Sequence, residues 1–540
     1  MNIRLKNLGL RTCTLLSLAC LGLQAQTKDS LLFLGDTLSL NHAERQAWKS
    51  QGEPLLRPIA GTDSKFIVQQ IGKLSFKDQQ YRIADPLDDG VTKILVIGNS
   101  FSDDGVEYYL HDLAKQAGHP LVIGNLFRGG APLDFHLKNA LENIDIYDYR
   151  KTEIDGAKSN QRKTSIRTAL QDENWDIICF QQASVLSGDL PSVEKDLPLL
   201  FAYVKENYPI SSVKYAYHQT WAYAENATTK NFENYANNQQ QMFEDIANVS
   251  KNIQQLIPLN YLIPAGTAIQ NGRSSFIGDN FTREGYHLDL RIGRFTAAST
   301  WYEAIFGKLQ DNPYKPFNLT QEQAAVAKIS AIKAVENPYQ ITSLAYLKAE
   351  ELPTAFGTIQ VNFGADLIMP GWNSFLFERK HTKLSGLSSL HNKESSAYIS
   401  LLQHFDARSA KGPKRTSSDF HMPAEVSQAY FSVVLNAENT KQAFLEIGNL
   451  NPSQAYSLAL FSGVENQQNE MEIWVKTGQY IQSNSINPSY NKTQVVTFPS
   501  VQPSADGKLQ IGFKIPKNSK ESTAILNALR IVENKQNSIN

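Results

Sequence analysis

The chain has 540 residues, which is too long for one hydrophobic core and predicts at least two domains. Its 52 basic and 53 acidic side chains leave a formal net charge of -1, so the totals provide no overall field for nucleic acid or an anionic membrane surface. Hydrophobic residues make up 41% and charged residues 19%, the balance of a globular protein.

Residues 1–25 have the pattern of an export signal. Basic residues precede an apolar run over residues 12–23, and Leu23-Gln24-Ala25 is a plausible cleavage site. The run is too short to span a bilayer, and no later apolar stretch is long enough. Cys20 leaves lipid anchoring open, but residues 17–19 match the usual lipobox poorly. We therefore expect an exported protein, periplasmic or extracellular, with no membrane span.

Cleavage after Ala25 would leave Cys179 as the single cysteine. That count excludes an internal disulfide and a four-cysteine metal site. Cys179 lies in the apolar run 176–180, which favours a buried structural side chain. The ten histidines lack metal-ligand spacing, and there is no phosphate-binding or dinucleotide motif. We therefore expect neither a metal nor a cofactor.

Residues 93–346 show an α/β pattern, after an N-terminal extension (26–92) without clean periodicity. Residues 94–97 form a continuous apolar run, as expected for a strand covered on both faces. A single helix is predicted next, capped at Ser102 or Asp103 and ending at Gly118. Helices separate the later apolar runs, which predicts a parallel sheet with right-handed crossovers. Those further strands are predicted at 120–124, 175–180, 213–218 and 259–264.

Residues 350–540 change to short, partly alternating runs separated by Gly, Pro, Asn and Ser. This pattern is typical of a β-sandwich domain. Trp372 and Trp474 within it are candidates for stacking on sugar rings, although Trp474 lies between two apolar residues and favours core packing. The predicted strands are 358–363, 429–435, 443–447, 456–461, 471–475, 508–515 and 529–532.

Ser100 lies between a buried strand and the start of a helix, where a nucleophilic hydroxyl can point into solvent above a sheet. The helix N-terminus places partial positive charge where an oxyanion would form. Taken alone, a serine after Gly98-Asn99 is more typical of a turn or a helix cap.

His287 follows Glu284 by three residues in a predicted loop. This spacing lets the carboxylate bind one imidazole nitrogen while the other nitrogen faces the serine. A solvated turn also explains most Glu-x-x-His sequences.

Together these features resemble the SGNH or GDSL-like hydrolase superfamily. The motif sequences are more similar still to a bacterial subgroup of it catalogued as a domain of unknown function. The resemblance covers about 93–345 and implies a three-layer α/β/α fold and ester hydrolysis. The matching segments are 97–102, 175–184, 217–223, 264–273, 278–281 and 285–288.

The resemblance implies Ser100 as nucleophile, His287 as base and Glu284 as the residue that orients the imidazole. The family usually has aspartate at this last position and before the nucleophile, where this chain has Asn99. The Ser100 backbone N–H and that of Gly129 or Gly130 match oxyanion donors. The family's asparagine donor after Gly-x is missing, and Gln182 is the candidate in its place.

Further polar residues are candidates for substrate binding. His218, Gln219 and Trp221 follow the fourth predicted strand, at the edge where open α/β sheets bind ligands, although His218 also fits a structural role. Arg128 and Arg273 lie in predicted loops and fit either an acidic sugar or ordinary salt bridges.

The sequence thus predicts an exported serine esterase that removes acyl groups, most simply acetyl groups, from a polysaccharide or oligosaccharide. The carbohydrate part depends on the domain combination and on family analogy alone. The alternatives are a glycan-binding protein without catalysis and a glycan-modifying enzyme in which His287 acts without a covalent intermediate.

Overall fold

A computed structural model describes residues 89–534 except 350, 377–381, 437–442, 518 and 520, together with two short hairpins before residue 89. The hairpins pair β1 (Asp29–Phe33) with β2 (Asp36–Leu40) and β3 (Leu74–Phe76) with β4 (Gln79–Tyr81). The predicted export signal, including Cys20, lies outside the described residues. Contacts divide the chain into an N-terminal unit (1–289, 293–314, 326–346) and a C-terminal unit (290–292, 315–325, 347–540).

The N-terminal unit contains a seven-stranded, mostly parallel sheet. Its order is β11-β10-β9-β5-β6-β7-β8, in which the first five strands are parallel and the last two are antiparallel. The parallel sheet predicted from the apolar runs is confirmed. The strands are β5 (Thr92–Gly98), β6 (Leu121–Phe127), β7 (Tyr147–Thr152), β8 (Lys158–Thr164), β9 (Ile177–Phe180), β10 (Lys214–His218) and β11 (Tyr261–Ile263).

Helices connect these strands, and the central strands are buried on both faces. From Lys93 to Gly98 every residue of β5 is buried, as are all four residues of β9. Burial of alternating side chains on both faces is what helices covering a parallel sheet produce. The helices are α1 (Ser100–Val106), α2 (Leu110–Gln116), α3 (Leu133–Leu141), α4 (Ile166–Leu170), α5 (Leu190–Asn207), α6 (Gln239–Leu256), α7 (Ala265–Arg273), α8 (Ile292–Phe306) and α9 (Gln321–Glu336).

The single helix predicted after β5 is wrong in two respects. It begins earlier, because Asn99 rather than Ser102 or Asp103 is the N-cap. It is also broken into α1 and α2, because Tyr109 adopts a left-handed backbone with φ 60°. The apolar periodicity runs through the break, since Val106, Leu110 and Leu113 are all buried, and periodicity alone therefore did not reveal it.

The C-terminal unit is β-rich, as predicted. Five strands form one sheet in the order β13-β12-β25-β19-β22, six form a second in the order β14-β15-β18-β23-β20-β21, and three form a third in the order β16-β17-β24. The helix α10 (Ala424–Gln428) lies between strands. The strands are β12 (Thr358–Phe363), β13 (Asn373–Phe375), β14 (Lys383–Leu384), β15 (Tyr398–Gln403), β16 (Ala407–Ser409), β17 (Tyr430–Asn436), β18 (Phe444–Gly448), β19 (Tyr456–Phe461), β20 (Met471–Thr477), β21 (Tyr480–Ile486), β22 (Val495–Val501), β23 (Leu509–Lys514), β24 (Glu521–Leu526) and β25 (Ala528–Glu533).

One hydrophobic core joins side chains from all three of these sheets, for example Val361 of β12, Ile473 of β20 and Val433 of β17. In β20 the side chains of Met471, Ile473 and Val475 are buried and those between them are not. This alternation is typical of a strand, which was predicted at 471–475. The specific β-sandwich architecture stays a prediction. Within the described ranges, none of the helices has the length and hydrophobicity that a bilayer crossing requires.

Candidate active site

Ser100 is the first residue of α1, directly beyond the carboxyl end of the central strand β5. Asn99 caps this helix, because its side-chain oxygen accepts a hydrogen bond from the Phe101 N–H at 3.0 Å. Within the part of the chain that the structure describes, the Ser100 hydroxyl has no hydrogen-bond partner, nor does its backbone N–H. The hydroxyl and the N–H are therefore both available to a ligand at the start of the helix.

His287 and Glu284 lie together in the loop before α8. Nδ1 of His287 is hydrogen-bonded to the Glu284 carboxylate, as the Glu-x-x-His spacing predicted. Nε2 of His287 is buried and, among the residues that the structure describes, has no hydrogen-bond partner. Gly285, with φ +95°, turns the chain between the two side chains, and an added Cβ would lie 3.0 Å from the Cβ of Ala227. Glu284 thus holds the ring and leaves the second nitrogen open.

Two aromatic rings bring the serine segment and the histidine loop to the same place. Phe101, the neighbour of Ser100, stacks on Trp221 with ring centroids 4.3 Å apart, and its ring centroid lies 5.9 Å from that of His287. Trp221 donates its Nε1–H to the carbonyl of Tyr286 at 2.7 Å. No hydrogen bond joins Ser100 to His287. In enzymes without substrate such bonds are often long, and they shorten when substrate binds.

A buried carboxylate connects α1 to the same loop. Asp104 accepts hydrogen bonds from the Leu288 N–H at 2.8 Å, from Arg294 at 2.7 Å and from Arg283 at 3.1 Å. Burial alone would raise the pKa of Asp104, but the two arginines hold it below its usual value. An ionised Asp104 therefore fixes the position of α1 relative to the loop that carries His287.

A second buried network lies beneath Ser100. The Gln181 side chain donates to Asn99 at 2.7 Å and is bonded to Nδ1 of His218 at 2.9 Å. Since the amide oxygen of Gln181 must accept, Nδ1 of His218 carries the proton. Burial lowers the pKa of His218 to about 3, so this ring is neutral. The bond from Gln181 thereby holds the side chain of Asn99 in the position in which it caps α1.

The loop after β6 supplies the predicted oxyanion donors. Asn99 donates to the carbonyl of Ala131 at 3.0 Å, and the Arg128 N–H donates to Gly98 at 3.3 Å, so the loop is tied to the end of β5. Gly129 and Gly130 lie between these ties, and among the described residues their N–H groups bind no protein acceptor. Gly130 has φ +69°, which favours glycine.

Gln182 is buried, and its side-chain amide is already bonded within the protein. Its oxygen accepts from the Leu133 N–H at 2.9 Å and the Ala183 N–H at 2.8 Å, and its nitrogen donates to Ser192 at 3.1 Å. These bonds hold α3 and α5 against the end of β9. The oxygen accepts two hydrogen bonds, whereas one of the two amide N–H donors of Gln182 has no acceptor among the described residues. The oxyanion role of Gln182 stays a prediction.

The predicted substrate-binding residues are not gathered at one surface. His218, Gln219 and Trp221 are each 0% exposed. Gln219 accepts from the Thr267 N–H at 2.9 Å and donates to the Pro338 carbonyl at 3.2 Å. In the described structure these three side chains act as internal supports of the site, and contact with a substrate stays a prediction for each.

The two arginines predicted to bind substrate differ in their exposure to solvent. Arg128 is exposed at the end of β6, beside the two glycines. Arg273 lies in α7 rather than in a loop, is 9% exposed, and its Nε is 2.7 Å from the Asp279 carboxylate. Burial lowers the pKa of Arg273 to about 10. Arg128 is therefore the one of the pair whose guanidinium is open to solvent.

The sequence did not reveal the hydrogen bonds that tie Asp104, Gln181, Arg283 and Arg294 to the candidate site. In the sequence Asp104 is one of several acids near the start of the predicted helix, and its partners are far away in the chain. The free cysteine Cys179 is buried, as expected, and burial raises its pKa well above the usual value. Among the described residues no group of His, Cys, Asp and Glu is arranged to hold a metal ion.

Fold and site together describe an α/β protein with a serine at the end of its central strand and a histidine–glutamate pair in a loop whose histidine ring lies near Phe101, the neighbour of that serine. The chain belongs to the family described as "Domain of unknown function (DUF4886)", which matches residues 93–334. A DUF4886 family protein from Bacteroides uniformis, known from its crystal structure, is 45% identical; the match covers 48% of this chain and 100% of that one, with a TM-score of 0.47.

More distant structures are only weakly similar. TesA is 12% identical, with 40% of this chain and 98% of that chain covered and a TM-score of 0.27. The ANXUR1 extracellular domain from Arabidopsis thaliana is 11% identical, with 33% and 48% covered and a TM-score of 0.23. Likenesses this weak carry no argument about activity. No curated protein matches the chain.

Proposed function

We propose that this protein is a serine esterase of the SGNH type, with Ser100 as nucleophile, His287 as base and Glu284 as the residue that orients it. One observation carries the proposal. The Ser100 hydroxyl at a helix start and the buried Nε2 of His287 both lack a hydrogen-bond partner in the described part of the chain, and the rings of Phe101 and His287 bring their segments together. An imidazole whose Nδ1 is held by a carboxylate and whose Nε2 is open is suited to take a serine proton.

In the proposed reaction, Nε2 of His287 accepts the proton of Ser100 while Oγ attacks the ester carbonyl carbon. The oxyanion that forms accepts hydrogen bonds from the N–H of Ser100 and from the N–H of Gly129 or Gly130. His287 then gives its proton to the leaving alkoxide as the ester bond breaks. Water attacks the acyl-enzyme, His287 takes the water's proton, and the acid leaves as Ser100 regains it.

The substrate we propose is an O-acylated polysaccharide or oligosaccharide met outside the cytoplasm, with acetyl as the first acyl group to test. Support comes from the export-like first residues and from the β-rich C-terminal unit. This support is an analogy with other exported proteins and does not come from the chemistry of the site. The open guanidinium of Arg128, beside Gly129, is the candidate contact for an acidic sugar.

The test compares Ser100→Ala with Ser159→Ala, which removes an exposed hydroxyl on the edge strand β8. On acetylated polysaccharides and on a chromogenic acetate ester, we expect Ser100→Ala to lower turnover by roughly four to six orders of magnitude, and Ser159→Ala to be unchanged. If Ser100→Ala keeps its rate while His287→Gln loses it, the reaction proceeds without a covalent intermediate. If the wild type binds glycans and hydrolyses no ester, the protein is a glycan-binding protein.

A further inference from the structure

The C-terminal unit contains a cavity of about 670 Å³ that is separate from the Ser100 site. Four cationic side chains line it: Lys411, Lys414, Arg415 and Lys492. Gln428, Glu465 and Asn466 supply the remaining polar side chains. The sequence showed residues 411–418 only as a polar loop, and the other polar lining residues come from three further places in the chain, at 428, 465–466 and 492.

The cavity carries an excess of positive charge. Lys492 lies 3.3 Å from Glu465, so this pair is neutral. Lys411, Lys414 and Arg415 have no carboxylate partner in the parts of the chain that the structure describes. Three uncompensated cations converge on one concave surface, although the whole chain is nearly neutral. Such clustering raises the local concentration of anions.

The backbone beneath these cations is fixed by hydrogen bonds. The Glu465 N–H donates to the Lys411 carbonyl at 3.1 Å, the Gly412 N–H donates to the Gln428 carbonyl at 2.8 Å, and the Ser417 N–H donates to the Lys492 carbonyl at 2.9 Å. Gly412 is required here, because an added Cβ would lie 2.2 Å from the Ser427 carbonyl oxygen. The segments are thus arranged before any ligand arrives, which reduces the entropy lost on binding.

The size and chemistry of the cavity select the ligand. Its volume is within the range of sites for drug-sized molecules and is far larger than one inorganic anion needs. Glu465 would repel a ligand that offers only negative charge, but it accepts hydrogen bonds from hydroxyl groups. Gln428 and Asn466 both donate and accept. No aromatic side chain is among its lining residues, so a nucleotide base would find no stacking surface.

We propose that this cavity, the Lys411–Lys492 pocket, binds an acidic oligosaccharide, with the three free cations holding carboxylate or sulfate groups and Gln428, Glu465 and Asn466 bonding to sugar hydroxyls. The proposal does not depend on the activity of Ser100. It assigns the C-terminal unit a binding function of its own.

Binding is measured by isothermal titration calorimetry on the full chain carrying Ser100→Ala, so that no hydrolysis alters the ligand. The probes are an oligogalacturonide of four residues, a sulfated oligosaccharide of equal length, a neutral galactan tetramer and tripolyphosphate. We expect the carboxylated or the sulfated probe to bind, with an affinity that falls as salt rises, and the neutral tetramer to bind at least tenfold more weakly. The better of the two acidic probes identifies the acid group.

The variant Lys414→Gln/Arg415→Gln removes two of the free cations, and Lys476→Gln/Lys517→Gln removes two exposed lysines elsewhere in the same unit. We expect the first pair to weaken the acidic probe at least tenfold and the second pair to leave it unchanged. All four side chains are exposed, so the melting temperatures serve as a check on folding. If both double variants bind the acidic probe equally, the Lys411–Lys492 pocket is not the binding site. Binding of tripolyphosphate without either oligosaccharide overturns the glycan assignment.

Discussion

The carboxylate of Asp104 accepts a hydrogen bond from the Leu288 N–H at 2.8 Å across a sequence separation of 184 residues. Asp104 lies one helical turn after Ser100, and Leu288 directly follows His287. The bond therefore links the turn that carries Ser100, the proposed nucleophile, to the loop that carries His287, the proposed base. Because Arg283 and Arg294 contact the same carboxylate, the link is a buried, charged cluster.

The first prediction concerns this cluster. Asp104→Asn removes a charge between two arginines, and the 0% exposed Arg294 would lose this ion pair. We expect the free energy of unfolding to fall by about 3–5 kcal/mol, as when one partner of a buried ion pair is lost. Chemical denaturation measures this, with Asp145→Asn, an exposed acid, as the matched control. Equal stability of the two variants would mean that the cluster does not hold the site together.

The second prediction concerns Glu284. Glu284→Gln keeps the size of the side chain but removes the charge that holds Nδ1 of His287, and we expect turnover to fall by about 100- to 10,000-fold. Glu284→Asp keeps the charge one methylene shorter, and it should recover most of that loss. Steady-state kinetics on an acetate ester separates the three proteins. A Gln variant as fast as the wild type would remove Glu284 from the mechanism.

The third prediction is a pH dependence of stability. Burial lowers the pKa of His218 to about 3, whereas an unfolded histidine titrates near 6.5. Between these values the unfolded chain binds the proton and the folded one does not. Stability should therefore fall as pH drops from about 6.5, by up to about 1.4 kcal/mol per pH unit from this group.

Denaturation of the wild type and of His218→Gln at pH 7, 6 and 5 tests this slope. The variant should show a shallower fall than the wild type, while His404→Gln, at an exposed histidine, should keep the wild-type slope. Parallel curves for the wild type and His218→Gln would show that the pKa of His218 is not lowered in the folded protein. Because only differences between variants are used, the other titrating groups cancel.

The fourth prediction concerns Gln182. Gln182→Ala leaves the N–H groups of Leu133 and Ala183 without their acceptor, and we expect the free energy of unfolding to fall by about 1–3 kcal/mol. Turnover should change by less than about tenfold if the side chain only holds α3 and α5 in place, the role that its three bonds support. A selective loss of about 100- to 1,000-fold in turnover would instead support the oxyanion role predicted from the sequence.

Much of the fold could be predicted because local patterns are strong in its buried strands. The bounds of β12 and β19 agree with the predicted runs residue for residue. In contrast, β8 and β21 were missed. Six of the seven residues in each strand are exposed, so their sequences lack the alternation of apolar and polar residues that marks a half-buried strand. Edge strands and hairpins pair through their backbone, which side-chain patterns report poorly.

The residues of the candidate site divide in the same way. Ser100, Glu284 and His287 were predicted, since each has a local signal: a strand end, and an acid three residues before a histidine. Asp104 and Gln181 were not, because their roles depend on partners that only folding brings close. For His218 the sequence left a ligand contact and a structural role open, because a polar residue at a strand end fits both. The structure shows that its side chain is fully buried, and contact with a substrate stays a prediction.

The most direct test of the central proposal is the site of reaction with a fluorophosphonate probe, read by peptide mass spectrometry. If His287 activates Ser100, the probe should label one peptide, at Ser100, and the label should disappear in Ser100→Ala and be strongly reduced in His287→Gln. A wild-type protein that is folded, hydrolyses an acetate ester and yet carries no label at Ser100 would contradict the account.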